Sequence, residues 1–225
     1  MFHMKHASPA NGPNQHVDES NAVMEAHVPA DTARRLEIFA HQLSRWRRAT
    51  NLVSDQSHSD LWRRHIQDSL QILNLAPDAK RWLDVGSGAG FPGLVIAIGL
   101  YGVPHAEVHC VESDKRKCAF LAQVVRETGI SAVIHAARIE EIDPNTLIPV
   151  DAVTARALAS LPELLKLSRI YLNQGAIGIF PQGRCPVNQT ELPGWTNSYS
   201  IENVRSSTDS NSRIVRVRKE MGSPI

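Results

Sequence analysis

The chain has 225 residues, 42% hydrophobic and 21% charged, with a formal net charge of +1. At roughly 100 to 200 residues per domain this allows one large domain with appendages and excludes two full-sized ones. The hydrophobic fraction suffices for a sizeable core and excludes a chain disordered throughout, and the near-zero net charge gives no global argument for a polyanionic partner.

Apolar runs such as 93–100 fall far short of a bilayer span, so no transmembrane helix is expected. Met1–Ala30 lacks the apolar stretch and cleavage site of a secretory signal, which makes the cytoplasm the expected compartment. Cys110, Cys118 and Cys185 are odd in number, widely spaced and without a CxxC pair. Neither a disulfide scaffold nor a structural zinc is therefore expected, and no metal site is assigned.

Residues 1–30 are rich in His, Asn, Pro and small residues without apolar periodicity, and read as a flexible extension. From Asp31, Leu36, Phe39, Ala40, Leu43 and Trp46 recur at the spacing of an amphipathic helix. A second stripe follows, Trp62, Ile66, Ser69, Leu70 and Leu73, with Ser59 or Asp60 as its N-cap. Residues 31–76 are accordingly a unit of N-terminal helices. Between Asp31 and Arg81 nine basic residues stand against six acidic ones, a modest basic excess that a solvated helix face also explains.

From Arg81 short apolar runs alternate with helical stretches, the pattern of βαβ units, over a domain spanning 77–220. Strands are predicted at Trp82–Val85, Val108–Glu112, Ala132–His135, Ala152–Ala155 and Ala176–Phe180. Helices are predicted near Gly93–Leu100, Lys115–Thr128 and Leu161–Tyr171, the last opened by a Ser160-x-x-Glu163 capping box. Trp195–Ile201 and Arg213–Arg218 read as a terminal hairpin of antiparallel edge strands joined by the polar turn Arg205–Ser212. The fold class is α/β, a Rossmann-like sheet with helices on both faces and N-terminal helices in front.

The sharpest motif runs from Leu83 to Gly93, Leu-Asp-Val-Gly-Ser-Gly-Ala-Gly-Phe-Pro-Gly, where the first strand meets its helix. A glycine loop there lets the backbone approach a ligand closely. Glu112, at the end of the second strand, is placed to accept both ribose hydroxyls of a nucleoside cofactor. Gly88 to Gly93 is also a literal GxGxxG, so an NAD-dependent Rossmann oxidoreductase is the competing reading. Asp84, two residues before the first glycine, argues against it: its charge repels a pyrophosphate and suits the ammonium of a methionine moiety. The spacing Asp84-Val85-Gly86-x-Gly88-x-Gly90 is that of class I S-adenosylmethionine enzymes. Ala137–Glu141, after the third strand, is placed to frame an adenine ring, and Arg156, after the fourth, to bind a carboxylate or to form a structural salt bridge. Cys185-Pro186 has neither a nearby base nor a second motif cysteine, and the [Asp/Asn]-Pro-Pro-aromatic motif of exocyclic-amine methylation is absent after the fourth strand. His65 reads equally as a surface residue or as one packed on the domain.

Six motifs occur in one order: Asn51-Leu-Val-Ser54; Arg64-His-Ile-Gln-Asp-Ser-Leu70; the glycine loop; Glu112-Ser113 with Lys115-Arg116 and Phe120-Leu121; Arg138-Ile-Glu-Glu141; and Arg156-Ala-x-Ala-Ser-Leu161. In this combination the chain resembles the bacterial 16S rRNA guanine-N7 methyltransferases, the glucose-inhibited division protein B family, closely over about Asp31–Leu167. The resemblance implies S-adenosylmethionine bound through Gly86, Phe91, Ile139, Glu140 and Arg156, with Glu112 at the ribose. It implies one guanine of 16S rRNA as target; naked rRNA or an assembling small ribosomal subunit is the expected partner, and a monomer the expected state. The chain departs from the family at Gln182-Gly183, where a lysine usually precedes the glycine, and in its longer N-terminal extension. Guanine N7 carries an in-plane lone pair, so methyl transfer needs no proton removed and no catalytic residue is assigned. A non-enzymatic RNA-binding module is the alternative of another class. Arg45, Arg48 and Arg63 are expected to face away from the apolar stripes, toward solvent or RNA phosphate, with Arg213, Arg216 and Arg218 as the next candidates.

Overall fold

The computed structural model of the chain describes residues 28–47, 61–183 and 192–220. The expectations placed on residues 1–27, the caps Ser59 and Asp60, Arg48, the 51–54 motif and Cys185 lie outside them.

Seven strands form one sheet: β1 (Arg81–Val85), β2 (Glu107–Val111), β3 (Ala132–His135), β4 (Ala152–Thr154), β5 (Ile177–Gln182), β6 (Tyr199–Arg205) and β7 (Arg213–Lys219), in the order β3-β2-β1-β4-β5-β7-β6. The first five are parallel, and β7 runs antiparallel to both β5 and β6. The terminal hairpin differs from expectation in two ways. Of the two strands only β6 is at an edge, because β7 is inserted beside β5, with Val215 and Val217 buried in one core and Ile214 in the other. Trp195 lies in a 3-10 turn, Gly194–Ser198, that follows Pro193, and the strand begins only at Tyr199.

One face of the sheet packs on α1 (Ala30–Arg47), on α3 (Gly93–Gly99) and on α4 (Lys115–Thr128), together with α2, a continuous helical stretch over 62–75. This stretch passes from a π-turn (Trp62–Gln67) through α (Asp68–Leu70) to 3-10 (Gln71–Leu75). The other face packs on α5 (Leu161–Asn173). Strand β1 alternates between the two cores, Trp82 toward the first and Leu83 and Val85 toward the second. Helix α4 starts where Asp114 accepts the Arg116 and Lys117 amides and stops at Gly129, whose φ of 65° favours glycine. Glu163 opens α5 by accepting the Ser160 amide and hydroxyl, at 3.2 and 2.9 Å.

The N-terminal helices share the first core: Leu36, Phe39 and Leu43 of α1 are fully buried with Phe120 and Phe91. Arg35, only 5% exposed, locks α1 to the end of α4. It donates to the Thr128 carbonyl at 3.0 Å, pairs with Asp31 at 3.0 Å and stacks on Tyr101. The polar turn 206–208 is likewise tied to α2, where Asp68 Oδ1 accepts the hydroxyls of Ser206 and Thr208 and the Gln71 amide.

The first βα unit is closed by Asp84, which is fully buried. Its Oδ2 accepts the Gly93 amide at 3.1 Å, and its Oδ1 has no partner among the described residues. A side chain at position 93 would overlap the carboxyl group, so α3 approaches β1 only because Gly93 has none. Burial pushes the Asp84 carboxyl up from 3.8 to about 6, against the opposing pull of the Gly93 amide and Arg156.

Two outcomes follow from these contacts. Arg35→Ala should lower unfolding stability by about 2 to 4 kcal/mol, read as a shifted urea midpoint, since it removes charge-assisted bonds from a buried site. For Asp84, the folded chain holds its proton up to about pH 6 while the unfolded chain releases it near 3.8, so the native state loses stability as pH rises through that window. The loss is on the order of 3 kcal/mol. The isosteric Asp84→Asn variant carries no such loss, so its stability relative to the parent should increase between pH 4 and pH 7; a constant difference would contradict the buried-acid assignment.

Candidate functional site

In a parallel sheet, ligands gather at the carboxyl edge where the chain reverses its winding direction, here between β1 and β4. A cavity of about 790 Å³ opens at that place, inside the range of roughly 300 to 1,000 Å³ common for ligand sites. All six residues singled out from the sequence line it: Gly86, Phe91, Glu112, Ile139, Glu140 and Arg156. They come from the loops after β1, β2, β3 and β4, so the fold brings together residues spread over seventy positions of chain.

The glycine loop takes its shape from left-handed backbone at Gly86 (φ 73°), Gly88 (φ 56°) and Gly90 (φ 90°). Its amides are held from the neighbouring strand: Gly86 and Ser87 donate to the Val111 carbonyl at 2.9 and 3.0 Å. Glu112, 8% exposed, then fastens the loop at the cavity wall, accepting the Gly88 amide on Oε2 at 2.9 Å and the Asp114 amide on Oε1 at 2.8 Å. A carboxylate offers about four acceptor positions, so a fixed Glu112 retains capacity for a pair of hydroxyls. Beyond it Ile139 and Glu140 form a 3-10 turn, one half-buried and apolar, the other exposed and acidic. Apolar wall, acceptor and fixed carboxylate in this sequence fit a nucleoside.

Asp84 departs from expectation. Fully buried and engaged with Gly93, it fastens β1 to α3 and does not line the cavity, so it is not placed to hold an ammonium directly. The same contact bears on the dinucleotide reading. The Gly93 amide is taken by a protein carboxylate and the first turn of α3 is wholly buried. A pyrophosphate needs that helix start open and uncharged.

On the far side of the switch point, Arg156 lies with its guanidinium 5.0 Å over the Phe91 ring. Burial pushes the pKa of Arg156 down, while the carboxylates of Asp68 and Asp84 hold it up. Phe91 is 4% exposed and also meets His65, with ring centroids 5.1 Å apart, so His65 packs on the domain. Lys117, Leu158 and Lys166 also line the cavity and were not found from the sequence. Lys117 and Lys166 come from α4 and α5, whose packing beside the loops brings them there, and Leu158 is the unspecified position of the 156–161 motif. Buried Cys110 and Cys118 have thiols pushed up by desolvation, which suits packing and not nucleophilic attack. Among the described residues no cluster of three or more His, Cys, Asp or Glu is arranged for a metal ion, and no helix is long and apolar enough to cross a membrane. Arg45 and Arg63 are exposed, and Gln182 pairs across the sheet with Arg213.

Comparison with known proteins agrees with this geometry. The family model described as rRNA small subunit methyltransferase G matches residues 32–209. Ribosomal RNA small subunit methyltransferase G of Methylorubrum populi is 44% identical over 200 residues, covering 88% of this chain and 93% of that protein. Its namesake from Methylobacterium sp. strain 4-46 is 45% identical over 205 residues, covering 89% and 94%. Among solved structures, the O-methyltransferase TomG from Streptomyces achromogenes, determined with SAM, matches with a TM-score of 0.56 at 14% identity over 90% of this chain and 96% of that one. The fold is that of class I S-adenosylmethionine-dependent methyltransferases. With most of its length matched by the family model and by relatives of this similarity, the chain belongs to the rRNA small subunit methyltransferase G family.

Proposed function

We propose that the protein transfers the methyl group of S-adenosylmethionine to N7 of one guanine in 16S rRNA, working as a cytoplasmic monomer on naked rRNA or on an assembling small subunit. The observation that carries this reading is the convergence of Gly86, Phe91, Glu112, Ile139, Glu140 and Arg156 on one cavity, in a chain of this family. S-adenosylmethionine, when bound, supplies an electrophilic methyl on a sulfonium. The chain's own residues do the rest by position. Glu112 would take the ribose hydroxyls, Ile139 and Glu140 would flank the adenine, and the backbone at Gly86 would lie against the methionine portion. Arg156 and Phe91 bound the end at which an acceptor enters. Guanine N7 already holds the lone pair it would use and has no proton to lose, so alignment takes the place of a general base. The buried start of α3 and the Gly93–Asp84 contact weigh against NAD.

Calorimetry tests the donor site. Glu112→Gln removes the charge that would face two hydroxyls and should weaken S-adenosylmethionine binding by about 1 to 3 kcal/mol, roughly 5-fold to 150-fold. Binding of NAD in place of S-adenosylmethionine would establish the dinucleotide reading instead. The reaction itself is read by incubating unmodified small-subunit rRNA with a labelled methyl donor and locating the label by mass spectrometry. Label on guanine N7 is the expected result; RNA and donor bound with no transfer would leave a binding module only.

A further inference from the structure

The segment between β4 and α5 holds two features that the donor site does not use. Ala157 has a φ of 53°, in the left-handed region that costs a residue with a β-carbon, and one of only two such non-glycine residues among those described. Next to it, Leu158 is 44% exposed, while Phe91, Val85 and Val111, which line the same cavity, are between 2% and 4% exposed. Leu158 is also seated firmly. A β-carbon on Gly86 would lie 2.7 Å from its Cδ1 and 3.0 Å from its Cδ2, so the side chain fills the space that the glycine leaves. The strained turn therefore sends two neighbours to different walls, Arg156 over Phe91 and Leu158 over the glycine loop. The capping box of Ser160 and Glu163 holds the far end.

Position in the cavity points to a use. Glu112, Ile139 and Glu140 follow β2 and β3, on one side of the switch point, and Leu158 follows β4, on the other. Two reactants must share the cavity for transfer, and the contacts assigned to the donor's ribose and adenine lie on the first side. A guanine in RNA is stacked on its neighbours, and reaching its N7 in a closed pocket means drawing it out. Enzymes acting on bases recover the lost stacking on flat or apolar side chains. An apolar group held at a cavity mouth, open to solvent on one side and backed by the glycine loop on the other, meets that requirement.

We infer that Leu158 is the residue against which the target guanine packs, a contact to the acceptor base and not to the methyl donor. The inference rests on the methyl-transfer reading above. Steady-state kinetics with the full chain, unmodified small-subunit rRNA and saturating S-adenosylmethionine test it, alongside calorimetry of the donor. Leu158→Ala should raise KM for RNA about fivefold to tenfold, the lower range for losing one stacked base, with donor affinity within about twofold of the parent. Leu158→Met, which returns apolar length at nearly the same volume, should recover most of that loss. An unchanged KM for RNA in Leu158→Ala, with the parent protein active, overturns the inference alone. A donor affinity that weakens by the same factor as the RNA term also overturns it, since Leu158 then belongs to the donor. If the parent protein transfers no methyl group to the RNA, the reading on which the inference rests fails first.

Discussion

Strand β1 pairs in parallel with β2 on one side and β4 on the other, and from that arrangement the site follows. A parallel neighbour is reached only by a crossover, and successive crossovers that wind in opposite directions must part where the direction changes. The loops after β1 and β4 leave the sheet at that parting and cannot fill it. The crevice is a consequence of connectivity, before any side chain has been chosen.

Three ionisable groups around the crevice show how backbone placement sets the use of a charge. Asp84 and Glu112 leave the ends of adjacent strands, yet one is sealed behind the glycine loop against Gly93 and the other stands in the cavity wall. The sealed carboxyl resists ionisation, while Glu112 is held by two amides and faces the space a ligand would occupy. Arg156 lies within the electrostatic reach of Asp84 and Asp68 across the switch point and turns its guanidinium toward Phe91. The low dielectric that makes a buried carboxyl costly makes a directed arginine effective.

The N-terminal helices are part of the same economy. Phe91 closes the cavity at one edge and is at the same time in contact with Phe39 of α1 and His65 of α2. Asp68, three residues after His65, ties the turn between β6 and β7 to α2. The helices thus set the position of a cavity residue through shared core, with exposed Arg45 and Arg63 left on their outer side.

Much of this was legible in the order of residues. Helix α4 is legible to its end residues, and β1 to β5 to within two residues, because short apolar runs alternating with helical stretches are the local pattern of βαβ units. Glycines at 86, 88 and 90 and an acid at 112 mark the loop and the strand end where the cavity opens, since left-handed backbone and a strand-end carboxylate are properties of single residues in a local frame. Contacts between segments distant in sequence were not legible. The insertion of β7 beside β5, the burial of Asp84 away from the cavity and the seating of Leu158 on Gly86 each depend on which surface a second element presents. Periodicity encodes that an element has a buried face, and only the packed chain decides what lies against it.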